Sequence, residues 1–187
     1  YPENVALDNL QSFPELVRYL RENKSSYLEN IAVVSPDVGG AGRANSLYKR
    51  FVKTEKNISK NKDKYSIAIM SKFRDKPGSV ENMFLIGDVN EKNVLVVDDI
   101  LDSGNSGIKA AELLRKKGAQ KLIFYATHGL FTKGTQDIQK AYDLVMTSNT
   151  HYNQKQDNGI EVIDMSPTFA EAIYRAQEGL SVSKLFE

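Results

Sequence analysis

Residues 98–107 read Asp-Asp-Ile-Leu-Asp-Ser-Gly-Asn-Ser-Gly, a run of carboxylates, hydroxyls and small residues. Two adjacent acids, Asp98 and Asp99, end an apolar stretch, and a third, Asp102, opens a turn of Ser103, Gly104, Asn105 and Ser106. Small residues in such a turn let backbone N–H groups converge on one point. A helix starting behind them adds partial positive charge, and the two together make a cradle for phosphate. Ser103 and Ser106 can each add a hydroxyl donor. Carboxylates repel phosphate, so Asp98 and Asp99 suit adjacent sugar hydroxyls, or a cation held between sugar and phosphate. The combination describes a phosphorylated sugar. A solvated acidic loop with a Ser helix cap is the plainer alternative.

Two further segments carry candidate chemistry. Ser35-Pro36-Asp37-Val38-Gly39-Gly40-Ala41-Gly42-Arg43 follows a second apolar run. Its paired glycines permit close backbone approach to a ligand. Asp37 could hold a divalent cation and Arg43 could meet phosphate with two nitrogens. A tight strand-to-helix turn explains the same residues. In Lys72-Phe73-Arg74, two cations one residue apart on an extended segment point the same way. That would suit a cationic lid over a polyphosphate, or simply an exposed basic loop. His128, at the end of another apolar run, could line the same cleft or be structural. His151 lies in a polar stretch and receives no role. A Ser–His–Asp triad, a His-rich metal cluster and the GxxxxGK[ST] phosphate loop are all absent from the sequence.

The elements that would position these residues alternate between short β-branched runs and longer helical stretches. A helix is expected over 13–23, with Ser12 as its cap in a capping-box spacing to Glu15. Ile31–Ser35 reads as a buried strand, followed by a helix over about 43–53. Residues 54–64 are polar and lysine-rich, an expected exposed loop or hairpin tip. A strand over 65–70, a flexible loop over 71–82 and a short edge strand over 84–86 follow. Next come a strand over 93–97, a helix over 106–117 ending at Gly118, and a strand over 121–127. A helix over 134–141, strands over 143–147 and 161–163, and a helix capped by Ser166, with Pro167 at its first position and running to about Glu178, complete the chain. This order predicts an α/β fold, a mostly parallel sheet with helices on both faces. Ligands bind such sheets beyond the carboxyl ends of strands where strand order reverses. The loops after 31–35, 93–97 and 121–127 are therefore the ones that matter.

Composition excludes several classes. The 187 residues carry 25 Lys+Arg against 24 Asp+Glu, a net charge of +1. That balance is not the footprint of a nucleic-acid binder. With no Cys, there is no disulfide framework, no thiolate nucleophile and no Cys-ligated metal. A reducing, cytoplasmic setting fits. No apolar run approaches the ~20 residues of a membrane span, and no signal-peptide pattern opens the chain. The length suits one domain. The first residue is Tyr, which suggests a processed or excised chain.

The motifs then carry a family resemblance. VVDDILDSGNS resembles the phosphoribosyl-pyrophosphate (PRPP) loop of type I phosphoribosyltransferases. SPDVGGAGRA, SKFRD, LIGDV, ATHGLFTKGT, VMTSNT, EVIDMSPTFAEAI and GLSVSKLF follow one another as in the C-terminal half of ribose-phosphate pyrophosphokinase (PRPP synthetase). The resemblance covers the chain from LDNLQSFPEL onward. It implies transfer of the diphosphoryl group of ATP to the 1-hydroxyl of ribose 5-phosphate, giving PRPP and AMP with Mg2+. By match, Asp98 and Asp99 would hold the ribose hydroxyls. Asp102, Ser103, Gly104, Asn105 and Ser106 would cradle the 5-phosphate, Asp37 would help hold Mg2+, and Lys72 and Arg74 would be catalytic-loop cations. Ser103 and Ser106 stand where the family usually has threonines. The polar insert at 54–64 looks longer than the family's subunit-contact hairpin, which touches the expectation of a homo-oligomer. The family has two tandem domains, and this chain matches the second. A complete ATP site would need the first. Two other readings stay open: a stand-alone phosphoribosyltransferase using PRPP, and a non-catalytic associated protein. Neither nucleic acid nor membrane is an expected partner.

Overall fold

The computed structural model describes residues 7–54, 64–73, 82–151 and 159–186. The elements run α1 (Phe13–Asn23), β1 (Ile31–Ser35), α2 (Ala41–Lys53), β2 (Tyr65–Phe73), β3 (Asn82–Ile86), β4 (Asn93–Leu101), α3 (Asn105–Lys116), β5 (Leu122–Gly129), α4 (Gln136–Ala141), β6 (Leu144–Ser148), β7 (Ile160–Ile163) and α5 (Ser166–Gln177). Short 3-10 helices occupy Ser25–Leu28 and Val182–Phe186. The seven strands form one sheet in the order β3-β2-β1-β4-β5-β6-β7. Every neighbouring pair is parallel except β2 with β3. The predicted α/β architecture is present.

Side-chain alternation along the central strands makes two cores. Ile31, Val33, Leu95, Val97, Ile123 and Tyr125 pack with Phe13, Leu16 and Leu20 of α1 and Leu47 and Phe51 of α2. Ala32, Val34, Val94, Val96, Leu122 and Phe124 pack with Ala110 and Leu114 of α3 and Ile138 of α4. Central strands are therefore apolar on both faces, and β1 is buried throughout. Among the described residues, no helix is long and apolar enough to cross a membrane.

Several expectations change in detail. The acidic run after residue 97 begins as strand, not loop: β4 continues to Leu101, pairing Asp98 with Ala126 and Ile100 with His128. Residues 71–73 belong to β2 and pair with β3, so the expected loop over 71–82 starts later. Residues 74–81 and 55–63 lie outside the described residues. Ser12 sits at the α1 N-cap but makes no capping bond. Its hydroxyl pairs with Thr127 Oγ1 at 3.0 Å, and Glu15 is taken by Arg18 and Thr168. Tertiary partners outcompete the local box. Ser166 is the first residue of α5, not its cap. Asp164 Oδ1 accepts its N–H at 2.9 Å.

Candidate functional site

Strand order reverses between β1 and β4. The chain leaves β1 toward β2 on one side and returns to β4 on the other. The carboxyl ends of these two strands carry the sequence-predicted acids, where an open α/β sheet exposes its crevice.

Gly104, the N-cap of α3, has φ +76°, a left-handed conformation that side-chain-bearing residues rarely adopt. That turn aims the start of α3 back over the end of β4. Asp98, Asp102, Ser103, Gly104, Asn105 and Ser106 line one small hollow of about 140 Å³, floored by Phe124. The predicted cradle thus comes together around the end of a twelve-residue helix. It is braced from beneath. Tyr142 Oη donates to the Gly107 carbonyl at 2.7 Å, a buried bond. Thr132 donates its hydroxyl to Asp102 Oδ1, tying the segment after β5 to the turn. Leu130 and Phe131 donate backbone N–H to the Leu101 carbonyl.

Asp98 and Asp99 face different spaces. Asp98 continues the side of Val94 and Val96 and lines the cradle. Asp99 lines a larger cavity of about 400 Å³, with Ser12, Phe13, Arg43, Thr127 and His128. Burial pushes the Asp98 carboxyl up to about 6, and the neighbouring Asp99 adds to the rise. Burial also pushes Asp99 upward, but its hydrogen bonding with Asp98, the Arg43 guanidinium and nearby backbone N–H groups outweigh this and hold it low. The pair's environments drive its two members apart, a pattern common at functional sites.

Arg43 does not stand free for a phosphate, as its sequence position allowed. Its guanidinium spans the acids, Nη1 to Asp98 Oδ1 at 3.1 Å and Nη2 to Asp99 Oδ2 at 2.7 Å. Asp37 follows β1 and accepts the Gly40 N–H on Oδ1 at 2.8 Å. Among the described residues, no three His, Asp or Glu side chains gather as a metal site. A single carboxylate such as Asp37 still fits Mg2+, which takes oxygen ligands and is commonly shared between one or two carboxylates and substrate phosphates. His128 lines the Asp99 cavity and pairs Nδ1 with Thr150 Oγ1 at 2.8 Å, so it is both lining and structural. The backbone of Lys72 lies near the end of β2, opposite Met83. Arg74 lies outside the described residues. Sequence reasoning missed Thr132 and Tyr142, because both reach the turn across the fold without any local motif.

A mostly parallel sheet with a small-residue turn and an acid pair beyond its strand ends is the architecture of the type I phosphoribosyltransferase fold. Residues 52–187 match the phosphoribosyl synthetase-associated domain, and the chain belongs to that family. It is 38% identical to a ribose-phosphate pyrophosphokinase of Rhizobium meliloti, over 98% of this chain and 56% of that protein. A Thermotoga maritima ribose-phosphate pyrophosphokinase is 34% identical over 98% of this chain and 55% of its own length. The chain spans about half the length of these curated relatives. The phosphoribosylpyrophosphate synthetase of Mycobacterium smegmatis superposes with a TM-score of 0.72 at 25% identity, over 90% of this chain and 51% of that one. The APRTase of Giardia lamblia, with a TM-score of 0.53 at 11% identity over 72% of this chain and 75% of that one, shares the fold alone.

Proposed function

We propose that this chain supplies the ribose 5-phosphate site and the catalytic segment of a ribose-phosphate diphosphokinase, as the C-terminal domain of a two-domain enzyme. The reaction is ATP + ribose 5-phosphate → PRPP + AMP. The observation that carries the reading is the hollow of Ser103–Ser106 at the start of α3, beside the strand-end acids Asp98 and Asp99.

The 5-phosphate enters the hollow and meets the N-terminal end of α3. The sugar hydroxyls donate to Asp98 and Asp99. So held, the 1-hydroxyl oxygen attacks the β-phosphorus of ATP. The bond from the β-phosphorus to the bridging oxygen breaks, AMP leaves with that oxygen, and the hydroxyl proton passes to solvent. Little covalent chemistry falls to the protein, and its contribution is positioning and charge stabilisation. Lys72 and Arg74 neutralise the transferring diphosphoryl group. Asp37 would hold Mg2+, which when bound offsets phosphate charge. The donor nucleotide needs a further surface, supplied by another domain or another subunit of a homo-oligomer.

Calorimetric titration tests the first half of this reading. Ribose 5-phosphate should bind the chain at least about tenfold more tightly than inorganic phosphate, because the sugar adds charge-assisted hydrogen bonds. Equal affinity for the two would overturn it. In the complete enzyme, Lys72→Ala should lower AMP formation by about 100-fold or more and leave ribose 5-phosphate affinity within about twofold. Equal loss of both would remove Lys72 from the catalytic role.

A further inference from the structure

Two carboxylates on consecutive residues repel each other, and Asp98 is largely withdrawn from solvent, with only 22% of its side chain exposed. Left alone, such a pair relaxes: one acid takes up a proton or its side chain turns toward water. Here neither acid is left alone. Arg43, from the first turn of α2, sets one nitrogen on each carboxylate, at 3.1 Å and 2.7 Å. Arg43 is itself half-buried, and a planar guanidinium engaging two acceptors loses little further freedom. Backbone bonds complete the frame. The Asp99 N–H donates to Asp98 Oδ1, and the Ile100 N–H donates to Asp99 Oδ1, both at 2.9 Å. Both the Arg43 contact and the Asp99 N–H contact of Asp98 fall on its Oδ1. The route for Arg43 is kept open by Gly40. A Cβ there would lie 3.1 Å from Arg43 Nη1 and 2.5 Å from Ser35 Oγ.

We infer that Arg43 is a positioning residue for sugar recognition: by clamping Asp98 and Asp99 at two points, it presents them as a paired acceptor for vicinal hydroxyls of the bound sugar. This rests on the reading of the site given above. It assigns Arg43 to the diol end of the ligand and not to its phosphate.

The consequence is discrimination between ribose 5-phosphate and 2-deoxyribose 5-phosphate, which lacks one hydroxyl. A site built to bond a hydroxyl rejects the analogue without it. The wild-type chain should prefer ribose 5-phosphate by about 10- to 100-fold in calorimetry. Arg43→Gln should lower that preference below about threefold while inorganic phosphate affinity stays within about twofold. Arg43→Lys keeps the charge but offers one nitrogen, so its preference should fall between the two. If Arg43→Gln discriminates as well as the wild type, the clamp has no role in recognition. Full preference in Arg43→Lys would overturn two-point positioning, and this variant decides the matter if Arg43→Gln does not fold. A uniform loss of affinity for both sugars and for phosphate would mark Arg43 as a structural residue only. If the wild type itself binds ribose 5-phosphate without preferring it to the deoxy analogue, the diol reading fails first and the clamp fails with it.

Discussion

Asp98 concentrates the tension of the site at the scale of a single residue. Its carboxyl is pushed up to about 6, chiefly by burial and then by Asp99, against an ordinary value near 3.9 in the unfolded chain. Between pH 4 and pH 6 the folded chain therefore holds a proton that the unfolded chain has released, so stability falls as pH rises through that window. Above about pH 6 the ionised carboxylate costs the fold its full penalty. Below pH 4 the penalty is absent. Asp98→Asn should accordingly melt higher than the wild type at pH 7.5, by on the order of 1 kcal/mol given the partial openness of the site, and the gain should vanish near pH 4. Scanning fluorimetry at the two pH values checks this, and a gain of equal size at both would refute it. The same substitution should weaken ribose 5-phosphate binding, stability being given up at a site that needs charge. The acids were legible as candidate ligands of sugar hydroxyls or of a cation because two carboxylates sit next to a small-residue turn. Their clamp was not, since Arg43 stands 55 residues from Asp98.

At the scale of the element, the start of α3 is a shaped object held from below. Gly104 makes the turn by its positive φ, and Tyr142 and Thr132 hold it from the segments that follow β5. Tyr142→Phe removes a buried bond to the Gly107 carbonyl and should cost about 1 kcal/mol in urea unfolding. Ribose 5-phosphate affinity should fall severalfold as the first turn of α3 loosens. A variant with lowered stability and unchanged affinity would separate the brace from the site. Gly104 and the hydroxyls were legible from the sequence, as a turn before a helical period. The strand limits were less so. Residues 98–101 look like loop because they open with two acids, yet the parallel neighbour β5 continues and supplies ladder partners, Ala126 to Asp98 and Gly129 to Leu101.

For the whole molecule, one sheet separates two cores, with α1 and α2 on one face and α3 and α4 on the other. Leu47 and Leu114 are fully buried on opposite faces. Each Leu→Ala change should cost about 2–5 kcal/mol. The two costs should add within about 0.5 kcal/mol, because a sheet lies between the cavities and they share no partners. Denaturant titration of the two single variants and the double variant checks this, and strong coupling would mean the faces do not act independently. The same layering sets the site. Because β1 and β4 are neighbours at the point where strand order reverses, Asp37, Arg43, Asp98 and the α3 turn gather at one end of the sheet.

The sequence by itself determined the period of each element, the apolar central strands, the small-residue turn before α3 and the acids beside it. These depend on residues adjacent along the chain, where alternation, small-residue turns and helix starts leave local marks. The tertiary structure alone decided how those residues work together. It set Asp98 and Asp99 toward different spaces, committed Arg43 to both, and brought Thr132 and Tyr142 beneath the turn. Ser12 likewise gave up a local cap for a partner 115 residues away. Such contacts follow from strand order and helix packing, and a buried polar group takes whichever partner the fold delivers to it.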